Sequence, residues 1–275
     1  MTYIPVVPLS GYAGWQVLNR TMERQQAAFV ASSSVQSTEE YFRSKIGGIE
    51  TAEDLVNDRR LLEVALGAFG LGEDIDNKYF IRKVLSEGTL SDDSLANKLS
   101  DKTYLALSKA FGFGDYDTPR TKLSDFADTI LTKYEAREFE AAVGESNETY
   151  RLALYTQREL PEIAAKSSSE VTKWYNILAS EPLRSVMETA FGLPESIGAL
   201  DLDQQVGIFK EKAESVLGSS DPADFGTDEV LDKLVKQYIL RDSIVNGLTS
   251  TSSGSVALQL LTASQSTGTT LSLLL

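Results

Sequence analysis

The amino-acid sequence predicts an all-α protein, and three observations support this fold class. Residue patterns that begin helices recur along the whole chain. Apolar residues recur at steps of three and four positions, as they do on one face of a helix. No run of alternating β-branched residues is bounded by the turn residues of a hairpin. We therefore expect a multi-helix array of repeated helical modules, each ending in an Ala-Phe-Gly cap, with no substantial sheet.

The chain begins with an extended arm followed by an amphipathic helix. Two prolines favour extended backbone in the first ten residues. Between residues 10 and 30 the large apolar residues form one narrow stripe of helical spacing. This stripe suits a partner helix better than a deep core, so residues 1–36 are assigned to a protein-binding arm and helix. The stripe consists of Trp15, Leu18, Met22 and Phe29.

Helix starts are predicted at several positions that follow. Residues 37–40 and 51–54 have the capping-box pattern, in which a hydroxyl residue is followed three positions later by a carboxylate. The helix expected after Pro119 would place Leu123 on its apolar face. Further helix starts are predicted at Asp58, at Thr118-Pro119, at residues 167–170 and at residues 227–230.

An Ala-Phe-Gly motif occurs three times, beginning at Ala68, Ala110 and Ala190, with starts 42 and then 80 residues apart. These spacings suggest a module of about 40 residues with one copy skipped, and we assign residues 37–246 to a helical repeat domain. The Phe is expected to anchor the last helical turn, and the Gly to adopt the left-handed conformation that ends a helix. A phosphate-binding loop is not favoured, because the GxGxxG spacing is missing.

The composition restricts the chemistry that the chain could perform. It contains no cysteine and no histidine, which excludes thiolate nucleophiles, zinc ribbons, serine–histidine triads and HExxH metal sites. The net charge of −14 disfavours nucleic acid and anionic lipid as partners. We therefore expect a protein that is not an enzyme and that has no cofactor and no metal.

The remaining candidate groups for catalysis or metal binding are better explained as structural residues. Carboxylates cluster at residues 73–77 and 115–117, but neither cluster has the glycine and glutamate positions of a calcium loop. Ser44-Lys45 and Ser108-Lys109 are adjacent pairs, and adjacent side chains on a helix point about 100° apart. The aromatic residues at 150–155 and 174–175 have the spacing of core residues.

The last part of the chain differs from the rest in charge. No charged residue follows Asp242, and residues 247–275 are assigned to an uncharged, flexible tail. Two interpretations stay open: a disordered terminus, or a segment that becomes ordered when it binds a partner through clustered apolar residues. The clustered residues are Val256, Leu258, Leu260 and Leu261, followed by Leu271, Leu273, Leu274 and Leu275.

The Ala-Phe-Gly motifs, together with the segment FEAAVGESNETYRLALYTQRELPEIA at residues 139–164, resemble a bacterial family of uncharacterised proteins often encoded in flagellar gene clusters. The resemblance covers most of the chain and implies a role in the flagellum, without implying any catalytic or binding residue. The final LSLLL is similar to the carboxy-terminal end of flagellins, although the first helix lacks the Asn-Leu-Ala-Asn pattern of rod and hook subunits.

These observations favour a non-enzymatic structural or interaction protein associated with flagellar assembly, which binds protein partners through its terminal segments. Flagellar components or further copies of the chain are the expected partners. The alternatives are a cytoplasmic adaptor or export chaperone and, less favoured, a carboxylate and divalent-metal hydrolase. No spanning segment or cleaved signal is evident, so we expect a soluble protein that is cytoplasmic or exported to the flagellum.

Overall fold

The computed structural model describes residues 3–249, and over this range the chain forms helices and no strand, which confirms the all-α prediction. Short 3-10 helices lie at Ile46–Gly48, Gly72–Asp74, Arg120–Lys122, Glu195–Ala199 and Asp224–Gly226. The α-helices are α1 (Gly11–Val30), α2 (Ser33–Lys45), α3 (Ala52–Asn57), α4 (Arg59–Gly67), α5 (Lys78–Glu87), α6 (Leu95–Lys98), α7 (Thr103–Phe111), α8 (Phe126–Gly144), α9 (Glu148–Ala164), α10 (Glu170–Ala179), α11 (Glu181–Phe191), α12 (Leu202–Leu217) and α13 (Asp228–Thr249).

The chain divides into two compact units. Unit 1 comprises Met1–Val7 and Leu18–Ser146, and unit 2 comprises Pro8–Val17 and Asn147–Leu275. The boundary after Ser146 falls inside residues 37–246, the range that the sequence analysis assigned to one domain. The start of α2 at Ser33 also precedes the expected boundary at residues 36 and 37, and α13 continues three residues into the segment assigned to the tail.

Each unit has its own aromatic and aliphatic core. In unit 1 the ring of Phe111 packs edge-on against Phe126, with centroids 5.1 Å apart, amid buried aliphatic residues of α3, α4 and α5. In unit 2 Trp174 is fully buried and packs edge-on against Phe225 at 5.4 Å. Its indole Nε1 donates a hydrogen bond to the carbonyl of Ser220 at 3.0 Å, so the one polar atom of the ring is satisfied.

Most of the predicted helix starts are confirmed, and the caps explain why. Thr51 accepts a hydrogen bond from the Asp54 N–H at 3.1 Å, and the Asp54 carboxylate accepts one from the Thr51 N–H at 3.0 Å, which completes a capping box. Asp58 accepts from two backbone N–H groups of the first turn of α4. Ser169 caps α10, and α13 begins directly after Thr227.

Two predicted starts are wrong. Residues 37–40 lie inside α2, which begins at Ser33, so the Ser37 hydroxyl and the Glu40 carboxylate are not at a helix start. After Pro119 the chain forms a 3-10 helix and then an extended residue, Leu123, which is 56% exposed; α8 begins only at Phe126. The capping pattern is local, and a helix that begins earlier can incorporate it.

The two units contain a similar helix junction. Asp58 ends α3 and caps α4 in unit 1, and Ser180 ends α10 and caps α11 in unit 2. The backbone angles are close: φ −99° and ψ 100° at Asp58, φ −84° and ψ 107° at Ser180. The Tyr41 hydroxyl of α2 donates to Asp58 at 2.7 Å, and the Tyr155 hydroxyl of α9 lies 3.2 Å from the Ser180 hydroxyl.

The helix that follows each junction leads into an Ala-Phe-Gly motif with a left-handed glycine. The φ angle is +75° at Gly70 and +65° at Gly192, where an L side chain would be strained. The N–H groups of the next residues, Leu71 and Leu193, each donate to a carbonyl five residues back, at 2.9 and 2.8 Å. This is the Schellman pattern, in which the chain folds back over the last turn.

An arginine from the last helix of each unit lies over this glycine. A Cβ placed on Gly70 would lie 3.0 Å from Nη1 of Arg137 in α8, and one on Gly192 would lie 2.1 Å from Nη1 of Arg241 in α13. Gly112 in the second motif is also left-handed, but Tyr116 from the loop that follows it occupies the corresponding place. The first and third Ala-Phe-Gly motifs are therefore similar in their surroundings, and the second differs. A regular array of 40-residue modules stays a prediction.

Candidate interaction site at the chain ends

The apolar stripe predicted on the first helix forms, but it is not available to a partner. Trp15, Leu18 and Phe29 are buried in the folded chain, and Met22 is partly buried. The Trp15 ring packs against Tyr150 in unit 2, with centroids 5.8 Å apart. These residues belong to the core of the chain, because even a narrow stripe is sufficient to hold a helix against its own fold.

The start of α1 is held in unit 2 by the buried hydroxyl of Tyr150. This hydroxyl lies 2.6 Å from the carbonyl of Gly11 and 3.0 Å from that of Leu9, and it donates its proton to them. Tyr150 stands in the first turn of α9, where Asn147 accepts a hydrogen bond from its N–H at 3.0 Å. A Cβ at Gly14 would lie 2.3 Å from the tyrosine hydroxyl, so only glycine allows this close approach.

The last helix is attached to the same turn of α9. The Thr149 hydroxyl donates to the carboxylate of Asp242 at 2.8 Å. The ammonium group of Lys236 lies 5.4 Å from the centre of the Tyr12 ring, which joins α13 to the first turn of α1 through a cation–π contact. We call this set of residues the terminal junction: Leu9, Gly11, Tyr12, Thr149, Tyr150, Lys236 and Asp242.

Burial keeps Tyr150 of the terminal junction, and Tyr238 on α13, in the neutral form. Burial raises the pKa of Tyr150 to about 12, and a hydrogen bond from the Trp15 backbone opposes the shift. Burial also raises the pKa of Tyr238, followed in effect by the charges of Asp242 and Glu148. A neutral phenol keeps its proton and continues to act as a donor, so the Tyr150 hydroxyl can hold the backbone carbonyls at the start of α1.

The N-terminal arm is held in unit 1 by a polar residue of α1. The Gln25 side chain accepts from the Val6 N–H at 2.7 Å and donates to the Val6 carbonyl at 3.2 Å. Gln25 is buried on the same helix face as the apolar stripe. Gln25 was not predicted as a contact residue, although a glutamine between Met22 and Phe29 on that face was a signal that a backbone segment crosses there.

Large apolar side chains are exposed at both ends of the described chain. Of the twelve such side chains that are exposed among those described in residues 3–245, five lie at the ends, on the arm or on the last turns of α13. In unit 1, Ile4 and Val6 are 66% and 59% exposed, and in unit 2 Val245 is 61% exposed. The five are Ile4, Val6, Leu9, Ile244 and Val245. They replace the buried stripe as the candidate contact residues of the termini.

The tail residues proposed from the sequence lie outside the described residues, so their part in an interaction stays a prediction. They are Val256, Leu258, Leu260, Leu261, Leu271, Leu273, Leu274 and Leu275.

The other candidate groups have structural roles. Ser108 is fully buried and donates to the carbonyl of Val84 at 3.1 Å, whereas Lys109 is exposed. Asp115 accepts hydrogen bonds from the N–H and the hydroxyl of Thr89. Asp74 accepts from the Tyr104 hydroxyl at 2.5 Å. These carboxylates fix loops, as expected for turn and cap residues.

Two features relevant to membranes and metals are absent from the described part of the chain, residues 3–249. None of the helices in this range is long and apolar enough to cross a membrane. Within the same range, no three side chains of the metal-binding types Asp and Glu gather into a group that could hold an ion.

Comparison with known proteins places the chain in a family. It is similar to the crystal structure of protein AGR_C_984 from Agrobacterium tumefaciens, with 27% identity and a TM-score of 0.71, over 88% of this chain and 99% of that one. No curated protein matches it. Residues 68–230, more than half of the chain, match the model of the family described as "Protein of unknown function (DUF1217)". The chain therefore belongs to the DUF1217 family.

Proposed function

We propose that this protein is a non-enzymatic interaction protein of flagellar assembly that binds protein partners through its two chain ends. The observation that carries the proposal is the terminal junction in unit 2. There, one turn of α9 holds both the first turn of α1, through Tyr150, and the last helix, through Thr149. A partner that binds at this turn of α9 can therefore contact segments from both ends of the chain.

The chemistry of the ends supports protein binding. The body carries a large negative charge, whereas no charged residue follows Asp242. The arm and the last turns of α13 expose apolar side chains that a partner could cover, and burial of one such side chain stabilises a complex by about 1.5–3 kcal/mol. An uncharged, apolar segment beside an acidic body favours a protein partner over nucleic acid or an anionic membrane.

The absence of cysteine and histidine from the sequence supports the non-enzymatic part of the proposal, because the commonest nucleophile–base pairs are not available. The flagellar part has an associational basis: the resemblance of the motifs and of residues 139–164 to proteins encoded among flagellar genes. The cytoplasmic adaptor is the alternative that the same features allow, and the location of the protein distinguishes the two.

The proposal is tested by deleting the gene in its native bacterium and restoring it in four forms. These are the full chain, a chain lacking residues 250–275, a variant with Ile4→Ser and Val6→Ser, and a control with Leu90→Ser. Leu90 is 75% exposed in the loop between α5 and α6 and is distant from both chain ends in the sequence, so Leu90→Ser is a matched apolar-to-polar change outside the termini. Swimming speed, the number of flagella and the presence of the protein in filament and basal-body fractions are measured.

We expect the deletion to reduce swimming, the full chain and the Leu90 control to restore it, and the two terminal variants to fail while remaining folded. Recovery of the protein only from the cell interior, with swimming still lost, would favour the adaptor. Normal flagella and normal swimming in the deletion strain would contradict a role in flagellar assembly.

A further inference from the structure

The apolar face of α13 continues beyond the core of unit 2. Leu231, Leu234 and Tyr238 recur on this face at steps of three and four positions and are buried. Val245 follows Tyr238 by two helical turns on the same face, yet it is 61% exposed, and Ile244 beside it is 39% exposed. The face that holds α13 in unit 2 therefore ends in an apolar residue that the described part of the chain leaves largely uncovered.

Arg241 lies one turn before Val245, at the edge of this exposed face. Its guanidinium extends over Gly192 at the end of α11, where an added Cβ would lie 2.1 Å from Nη1 of the arginine. Gly192 leaves room for the arginine, and its φ of +65° also favours glycine. The left-handed cap of α11 thus determines where the guanidinium lies.

The guanidinium of Arg241 has no partner in the part of the chain that the structure describes. Its Nε is buried and makes no hydrogen bond, and no ion pair joins it to a described carboxylate. The adjacent Asp242 accepts a hydrogen bond from Thr149 instead. By contrast, Arg184 in the same unit pairs with Glu188 at 2.7 Å. A partly buried cation without a partner has lost hydration and gained no compensating bond, so pairing with an anion from outside the chain is favourable.

We propose that Arg241, Ile244 and Val245 form a recognition site, the α13 site, for a carboxylate-bearing apolar segment of a partner protein. The partner carboxylate accepts hydrogen bonds from the guanidinium, and an apolar side chain beside that carboxylate covers Val245. Arginine suits this role because its planar fork donates two parallel hydrogen bonds to one carboxylate. The inference rests on the proposed function, because it assigns the chemistry of the partner that the last turns of α13 bind.

The charge of the chain favours this occupant over two others. The net charge of −14 makes two copies of the chain repel each other, and it also repels the phosphates of an anionic membrane. One carboxylate within an otherwise apolar segment avoids most of this repulsion, because exposed charges more than about 8–10 Å apart are largely screened at physiological ionic strength. The partner is therefore a different protein whose contact segment carries few acidic residues.

The test uses the full chain in flagellated cells, with a photoreactive amino acid at Val245 and, in a separate strain, at Val6. Each is combined with Arg241→Gln, which keeps an N–H donor but removes the charge. Lys212→Gln is the control, because Lys212 is exposed on α12 of the same unit and its change removes an equal charge elsewhere. Cross-linked partner segments are identified by mass spectrometry, and thermal unfolding of the purified variants tests whether they are folded.

We expect the yield of the Val245 cross-link to fall roughly tenfold or more in Arg241→Gln, which is the effect of losing one charge-assisted hydrogen bond. Lys212→Gln should leave the yield unchanged. The midpoint of thermal unfolding should shift by no more than about 2 °C in either variant. The cross-linked segment should contain an Asp or Glu beside apolar residues, and changing that carboxylate to its amide in the partner should lower the yield equally with the unmodified chain.

An unchanged Val245 yield in Arg241→Gln would overturn the α13 site and leave partner binding by the chain ends intact. A cross-link from Val245 to a second copy of the chain, or to a segment without Asp or Glu, would overturn the assigned occupant. Cross-links from Val6 with none from Val245 would also overturn the α13 site alone. The absence of cross-links from both positions would contradict the proposed function as well.

Discussion

Replacing Tyr150 by phenylalanine is expected to weaken the attachment of the first helix in unit 2. The change removes one hydroxyl and leaves the ring in place, so the packing against Trp15 is kept. The carbonyl of Gly11 loses its donor at a buried position, and the carbonyl of Leu9 loses the same donor at a partly buried one. Leaving a buried acceptor unpaired costs about 1–3 kcal/mol, and we expect the free energy of unfolding of unit 2 to fall within that range.

The assay combines urea unfolding with hydrogen exchange, resolved to residues 8–17. The matched control is Tyr175→Phe, because the Tyr175 hydroxyl also donates to an acceptor in unit 2, the carboxylate of Asp203, but at the exposed surface. Water can take over the exposed bond, so the control should cost no more than about 0.5 kcal/mol. Exchange of residues 8–17 should accelerate in Tyr150→Phe only.

Equal stability of the two variants would refute the reasoning, because it would show that the Tyr150 hydroxyl contributes no more than a surface hydroxyl. Loss of stability without faster exchange in residues 8–17 would contradict the narrower statement that this hydroxyl holds the start of α1. In either case the terminal junction could not be regarded as the structure that fixes the N-terminal end of the chain.

Three further predictions concern two glycines and one helix cap. Gly192→Ala should destabilise the protein by about 1–2 kcal/mol or more, since the residue is left-handed and a Cβ would lie 2.1 Å from Arg241 Nη1. Gly207→Ala, at an exposed position inside α12 with nothing within 4 Å of its Cβ, should instead stabilise it by about 0.5–1 kcal/mol in the same thermal unfolding assay. Thr51→Ala removes the capping box of α3 and should lower the free energy of unfolding by about 1 kcal/mol. Faster hydrogen exchange should be confined to unit 1. An unchanged midpoint of thermal unfolding would show that the cap is redundant.

Local features of the fold could be predicted from the sequence because their causes are local. The cap at Thr51, the side-chain cap at Asp58 and the left-handed glycines at 112 and 192 each depend on residues within one or two turns. The capping pattern at residues 37–40 failed for the same reason, because a local pattern carries no information about a helix that begins earlier.

The candidate site could not be predicted from the sequence, because it depends on contacts between residues that are distant in sequence. The stripe on α1 was predicted as a face, but whether a partner or the chain itself covers it depends on the fold, and Trp15 and Leu18 proved to be buried. Tyr150 and Gly11 are 139 positions apart, and no periodicity links them.

The two junctions at Asp58 and Ser180 show an intermediate case. The Ala-Phe-Gly motifs were visible as a repeat, but their spacing in the sequence suggested three equivalent copies. The structure pairs the first with the third, since both follow a tyrosine-bonded junction and in both the guanidinium of an arginine from the last α-helix of the unit lies over the glycine. Which copies of the motif have similar surroundings thus depends on tertiary contacts with residues outside the motif.

The most direct test of the central claim, that the chain ends bind the partners, is photo-cross-linking in flagellated cells. A photoreactive amino acid is placed at Val6, at Val245 and, as the control, at Leu90, all of which are exposed in the folded chain. We predict cross-links to flagellar components from the two terminal positions and none from Leu90. Cross-links of equal yield at Leu90, or none from either terminal position, would contradict the account.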